Sequence, residues 1–308
     1  MAERRYYRVA GHSFSVEAGE HLFALMTNYQ PFRIGAEEAG KTLFDLTVGS
    51  VPTEGEKTHV FTDTSDDDMP RIEVYRMATD WLFQVAMYKT ADVACRLRVT
   101  EDMHLARLEM EDESTRFGID NACMLLYAFT TAKRHTLEMH AAVVVRPGET
   151  EDLGYLFLGK SGTGKSTHAC MWMDAFDDAR LLNDDNPILR LLDNGEVRVY
   201  GSPWSGKTPC YINRNVRVGA IVKLTQAPHN KIRPLRLPEA YAYMLSSASG
   251  LKIVPDMMDA LYDTISQLIQ TVQVYGMECL PNTDAAQVCY RGVTSACPDC
   301  PQTESPAP

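Results

Sequence analysis

The chain has 308 residues, 45% hydrophobic and 23% charged, with 41 acidic side chains against 30 basic ones and a formal net charge of -11. This composition excludes a disordered chain, and its negative balance repels polyanions, so nucleic acid is not expected as a partner. No run approaches the roughly 18 apolar residues of a membrane span, and no apolar segment follows Arg4 and Arg5, so a cytoplasmic protein without membrane contact is expected.

Residues 1–116 read as a β-rich N-terminal region. Alternating, β-branched or aromatic segments at 7–16, 57–61, 72–77, 81–88 and 94–99 are separated by turn chemistry. The triplet Asp66, Asp67 and Asp68 before Pro70 reads as a solvated hairpin tip rather than a cation site. The period then changes: Ile119, Cys123, Leu126 and Phe129 share one helical face, predicting an amphipathic helix over 119–134. A second domain is expected to begin there and to run over 117–293, ending in a helical segment. Apolar runs at 137–145 and 155–158 predict two strands joined by a loop. The last stretch, 294–308, is proline-rich with few apolar residues and predicts a disordered tail.

The most specific signal is Gly159-Lys160-Ser161-Gly162-Thr163-Gly164-Lys165-Ser166-Thr167, which satisfies G-x-x-x-x-G-K-[ST]. Glycines permit a tight turn around an anion, backbone N–H groups converge on phosphates, and a helix opening at Lys165 adds its positive end. Lys165 is expected to reach the β- and γ-phosphates and Ser166 to ligate magnesium, so ATP and Mg2+ are the expected cofactors.

Behind it, residues 180–185 read as a short strand ending in Asp184 and Asp185. If that strand lies beside the one entering the loop, the two carboxylates emerge near the γ-phosphate. One would hold the metal and the other would take a proton from an acceptor hydroxyl; the residues alone do not say which. His140, a polar ring in an apolar strand, joins this site only if its strand neighbours the loop.

Taken together, Met139-His140, residues 159–167 and Asp184-Asp185 resemble the HPr kinase/phosphorylase and phosphoenolpyruvate carboxykinase superfamily, in which the acid follows the loop after about one helix and one strand. The resemblance covers roughly 137–224. It implies an α/β fold, a P-loop core of mixed β-sheets packed with helices, with the β-rich region in front. It also implies His140 by the metal and phosphates and Asp184 or Asp185 as the base. Gly201-Ser-Pro-Trp-Ser-Gly-Lys207 is similar to the Gly-x-Pro-Trp segment of HPr-kinase-like proteins. Lys207 there, or Arg214 and Arg217, could neutralise transferred charge, with Trp204 packed beneath the loop as the plainer reading. The HPr-recognition signature is absent from 211–223, and no oxaloacetate site is found, so neither HPr nor decarboxylation is implied.

The expected function is therefore a kinase acting on a hydroxyl of a protein, peptide or small molecule. A nucleotide-binding sensor or partner-binding module is the alternative, and phosphate chemistry run in reverse a weaker third. Met258, Leu261, Ile265 and Leu268 recur at helical spacing, a face for the core or for a homo-oligomer. Eight scattered cysteines suit a reducing compartment. Cys279, Cys289, Cys297 and Cys300 are a weak candidate zinc set beside the plainer reading of a frayed tail.

Overall fold

A computed structural model describes residues 2–63, 70–87, 92–206, 208–250 and 254–295. Internal contacts divide the chain into one unit of Met1–Arg134 with Gly250–Met257 and a second of His135–Ser249 with Met258–Pro308.

In the first unit, β1 (Ala2–Val9) and β2 (His12–Gly19) form a hairpin. Its two turn residues, Ala10 and Gly11, both have positive φ (47° and 81°), which matches the twist of a tight antiparallel turn. There follow α1 (Glu20–Leu25), β3 (Arg33–Ile34), α2 (Ala36–Ala39), β4 (Asp45–Val48) and β5 (Thr58–Asp63). Then come β6 (Arg71–Arg76), β7 (Asp80–Ala86), β8 (Val93–Thr100), β9 (Leu105–Met110) and α3 (Phe117–Thr131).

The nine strands make one mixed sheet, ordered β3-β1-β2-β4-β9-β8-β7-β6-β5, with β4 parallel to both neighbours. The expected β-rich region is present. The predicted segment 7–16 is this hairpin rather than one strand, because the Ala10-Gly11 turn reverses the chain inside it. Phe14 stacks on Phe44 with ring centroids 4.9 Å apart, and the Tyr127 hydroxyl of α3 donates to the Val9 carbonyl at 2.9 Å. These buried contacts place α3 with the first unit, so the division falls after Arg134 and not at the expected 116. Asp66, Asp67 and Asp68 lie outside the described residues.

The second unit begins with β10 (Thr136–Glu138), β11 (Ala141–Arg146), β12 (Leu153–Leu158), α4 (Lys165–Ala175) and β13 (Arg180–Asp185). It continues through β14 (Ile188–Leu191), β15 (Val197–Tyr200), β16 (Asn215–Gln226) and β17 (Lys231–Pro234). Helices α5 (Leu237–Ser247) and α6 (Pro255–Thr271), strand β18 (Val274–Cys279) and α7 (Thr283–Thr294) complete it.

Its mixed sheet runs β10-β14-β15-β16-β12-β11-β13, with β18 joined to β16 and β17 to β18. The fold is α/β, with two mixed nine-stranded sheets. Strand residues alternate between faces. Ala141, Val143, Leu156 and Leu158 pack with Met244, Leu261, Ile265 and Leu268 of α5 and α6. Ala142, Val144, Tyr155 and Phe157 pack with Trp172 of α4 and Tyr290 of α7. The helical face of 258–268 is thus largely spent on the core. Cys279 and Cys289 are buried free thiols, the latter pushed up by burial, while Cys297 and Cys300 lie outside the described residues.

Helix α4 is anchored by buried His168, whose Nε2 accepts from the Trp172 indole at 3.1 Å and whose ring meets Phe157 edge-on at 4.7 Å. Burial depresses the imidazole to about 4 from an ordinary 6.5. A base with a depressed folded pKa contributes stability that is present above its unfolded value and lost as pH falls through the folded one. Unfolding free energy should therefore fall by up to roughly 3 kcal/mol between pH 6.5 and 4 from this group alone. Urea titrations across that range should show a shallower slope in His168→Asn.

Candidate active site

One edge of the second sheet gathers the motif residues. Ala141 of β11 is in register with Leu158 of β12 on one side and with Asp185 of β13 on the other. The loop after Leu158, the acid pair and His140 before Ala141 therefore leave the sheet at the same edge. Strand β13 pairs with β11 and not with β12, so β11 lies between the loop strand and the acid strand, and the acids reach this edge without their strand lying directly beside the loop strand. The run 137–145 is not one strand either. It breaks at Met139 and His140, where the Met139 N–H donates to the Pro187 carbonyl at 3.0 Å and the His140 N–H to that of Ser247 at 2.7 Å. That break frees His140 from the ladder and lets its ring turn toward the loop.

The glycine-rich segment is a strand–loop–helix unit, β12 to α4. Gly162 and Gly164 have φ of 74° and 102°, a region costly for other residues, and α4 opens at Lys165 with no side chain capping its first turn. Donors at the helix start are left for an anion. The Gln226 amide braces the loop from β16, donating to the Gly162 carbonyl at 3.2 Å and to that of Thr163 at 3.4 Å.

Lys165 is buried, and its Nζ lies 2.8 Å from His140 Nε2 and 3.2 Å from the Gly159 carbonyl. The same His140 Nε2 stands 3.2 Å from Asp185 Oδ1. Lysine, imidazole and carboxylate thus lie in one line from the start of α4, past the break before β11, to the end of β13.

Directly opposed residues of an antiparallel pair share a face, so Asp184, paired with Ala142, lies on the α4 and α7 side and Asp185, paired with Ala141, on the α5 and α6 side. The Cys170 thiol of α4 is raised by its burial and then by the Asp184 charge, which agrees with that placement. Asp184 is 3% exposed; its Oδ2 accepts from the Thr208 N–H at 3.2 Å, and its Oδ1 is buried with no partner among the described residues. A buried carboxylate oxygen left unsatisfied is costly and fits a cation ligand. Ser166, in the first turn of α4, shares that side of the sheet. Among the described residues no group of three His, Cys, Asp or Glu could hold a metal. Magnesium requires no such cage, since phosphate oxygens and waters supply most of its shell.

Beneath the acids, buried Asn183 donates to the Ser202 hydroxyl at 3.2 Å and to the Trp204 carbonyl at 2.9 Å. Its Oδ1 accepts from the Asp185 and Asn186 N–H groups at 3.0 and 2.9 Å. The segment 201–206 is thereby tied under the acid pair, with Trp204 buried beneath it; Lys207 lies outside the described residues. A Cβ on Gly206 would stand 2.7 Å from the Asp184 carbonyl oxygen and 3.2 Å from the Asp185 Cβ. Gly206→Ala should displace the acid pair and destabilise the protein by about 1–3 kcal/mol, read as a lowered melting temperature. Arg214 and Arg217 do not reach this edge. Arg217 is in register with Leu153, at the opposite end of β12, and the two pair with Asp152 and Glu151.

Two residues without a sequence signal join the site. Lys223, in register with Leu158, is depressed by burial and then by the like charge of Lys160, so two ammonium groups converge beside the loop. Its Nζ lies 5.2 Å from the Tyr243 ring centroid. Glu138 is buried, with Oε2 lacking a partner among the described residues, and is raised well above the ordinary range by burial and then by the Asp185 charge.

No protein-family model matches the sequence, and no curated protein matches it. A solved structure titled "Structure of the Hpr(Ser) kinase/phosphatase from Coxiella burnetii" is similar over 51% of this chain and 97% of its own, at 12% identity and a TM-score of 0.31. At that score the likeness carries no weight for function. Among the described residues no helix is long and apolar enough to cross a membrane.

Proposed function

We propose that the chain is an ATP-dependent, magnesium-requiring phosphotransferase acting on a hydroxyl of a protein, a peptide or a small molecule. The observation that carries this reading is the line from Lys165 through His140 to Asp185, at 2.8 and 3.2 Å, set at the mouth of a strand–loop–helix phosphate cradle. A bare phosphate-binding turn has no need of it.

In this reading the N–H groups opening α4, with Lys165, Lys160 and Lys223, hold the triphosphate and offset its charge. Ser166 and Asp184 would hold magnesium, which would supply positive charge to offset that developing on the transferred phosphoryl group. Asp185, on the other side of the sheet, takes the acceptor's proton, and His140 Nε2, within reach of both groups, orients Asp185 by donating to it once the Lys165 ammonium has turned to phosphate. Positioning and charge neutralisation supply most of the rate.

One observation favours the alternative of a nucleotide-binding module without transfer: the Lys165 ammonium is already engaged by His140 and the Gly159 carbonyl and must be re-aimed to meet phosphate. Incubation with γ-labelled ATP, magnesium and cell lysate separates the two. Label on a protein or metabolite is expected. Tight ATP binding with no label transferred would establish the module instead.

A further inference from the structure

A second concentration of positive charge lies in the first unit, in a cleft of about 450 Å³ whose lining includes Arg8, His12, Ser13, Lys41 and Arg134 and, among the described residues, no acidic one. We propose that it binds a small organic anion carrying phosphate or carboxylate groups.

The walls are built by the backbone. Arg8 and Ser13 face each other across the β1–β2 hairpin, and the Leu43 N–H donates to the Ser13 carbonyl at 2.7 Å, closing the segment after α2 onto β2. Arg8 is held in place: its Nε donates to the Ser13 hydroxyl at 3.3 Å and one terminal nitrogen to the Glu38 carbonyl. Its other terminal nitrogen, and the Ser13 hydroxyl proton, remain to donate to a ligand. The His12 ring meets Tyr127 edge-on at 6.4 Å.

Two of the cleft's cations lack the counter-charge that most arginines of this unit have. In the same unit Arg4, Arg5, Arg33, Arg76, Arg96 and Arg98 each have a carboxylate within 4.0 Å. Arg8 and Lys41 have none among the described residues; Lys57 and Arg107 also have none, but of these only Arg8 and Lys41 line this cleft, in a chain with more acids than bases. Cations gathered without counter-charge destabilise the folded state unless an anion neutralises them. A guanidinium fork matches the planar or tetrahedral oxygens of carboxylate and phosphate. The volume suits a metabolite-sized molecule.

The test is calorimetric titration of the full chain, in phosphate-free buffer without magnesium, with citrate and with glycerol 2-phosphate as the two probes. One probe at least should bind saturably at a single site. Lys41→Gln and Arg8→Gln should each weaken it tenfold or more, whereas Lys165→Ala should leave it unchanged. Whichever probe binds more tightly distinguishes a carboxylate from a phosphate ligand. Lys41 is exposed in a loop, so that variant carries the test even if Arg8→Gln melts early. No saturable binding of either probe, or binding that survives the cleft variants and disappears in Lys165→Ala, would overturn the proposal.

Discussion

Replacing Lys165 with methionine is expected to lower ATP affinity about a hundredfold or more, roughly 3 kcal/mol, with little loss of fold stability. The ammonium is buried at the start of α4 and is the cation closest to the His140 and Asp185 line. Truncating one partner of a buried charge-assisted contact leaves the other uncompensated, which is why the binding loss should be large. Methionine fills similar volume, and in the free protein the Lys165 ammonium meets the His140 ring and the Gly159 carbonyl, with the Asp185 carboxylate reached only by way of His140. The measurement is a titration with a fluorescent ATP analogue at fixed ionic strength, beside a melting curve. An unchanged affinity would remove the loop from the nucleotide site altogether.

Separating the two aspartates gives the other large effect. Asp185→Asn should lower phosphoryl transfer by about 10²–10⁴-fold while leaving ATP affinity nearly unchanged, because it removes a proton acceptor and not a phosphate contact. Asp184→Asn should instead raise the magnesium concentration needed for half-maximal rate, since its Oδ1 is the buried oxygen without a partner. Single-turnover rates across a magnesium titration distinguish them: a deficit repaired by magnesium belongs to Asp184, and one that magnesium leaves untouched belongs to Asp185. If Asp185→Asn transferred phosphate at the parental rate, the assignment of the base would fail. The result would also weigh toward a nucleotide-binding module.

Much of the candidate site was legible because it is local. A glycine-rich turn between an apolar run and a helix is set by neighbouring residues, and β12, the loop and α4 fall where residues 155–176 placed them. Strands β5 to β8 and helix α3 were readable for the same reason, from alternation and from the change of period at Ile119. Strand β9 was not. Leu105-Ala-Arg-Leu-Glu-Met110 is made of good helix formers, and it is a strand because alternate residues bury between β4 and β8. Strand β4, only four residues long, has no pattern of its own and is set by its two parallel neighbours.

By itself, the sequence determined that a glycine-rich loop opens a helix at Lys165 and that two carboxylates end a strand close behind, since both follow from residue type at short range. Strand order was beyond it. Pairing in a sheet joins residues far apart in the chain, so only the tertiary structure placed β11 between β12 and β13 and broke the strand at His140. It also sent Arg214 and Arg217 to the far end of the sheet. The same long-range pairing put Lys223 beside Leu158, Glu138 behind Asp185, and the two aspartates on opposite faces.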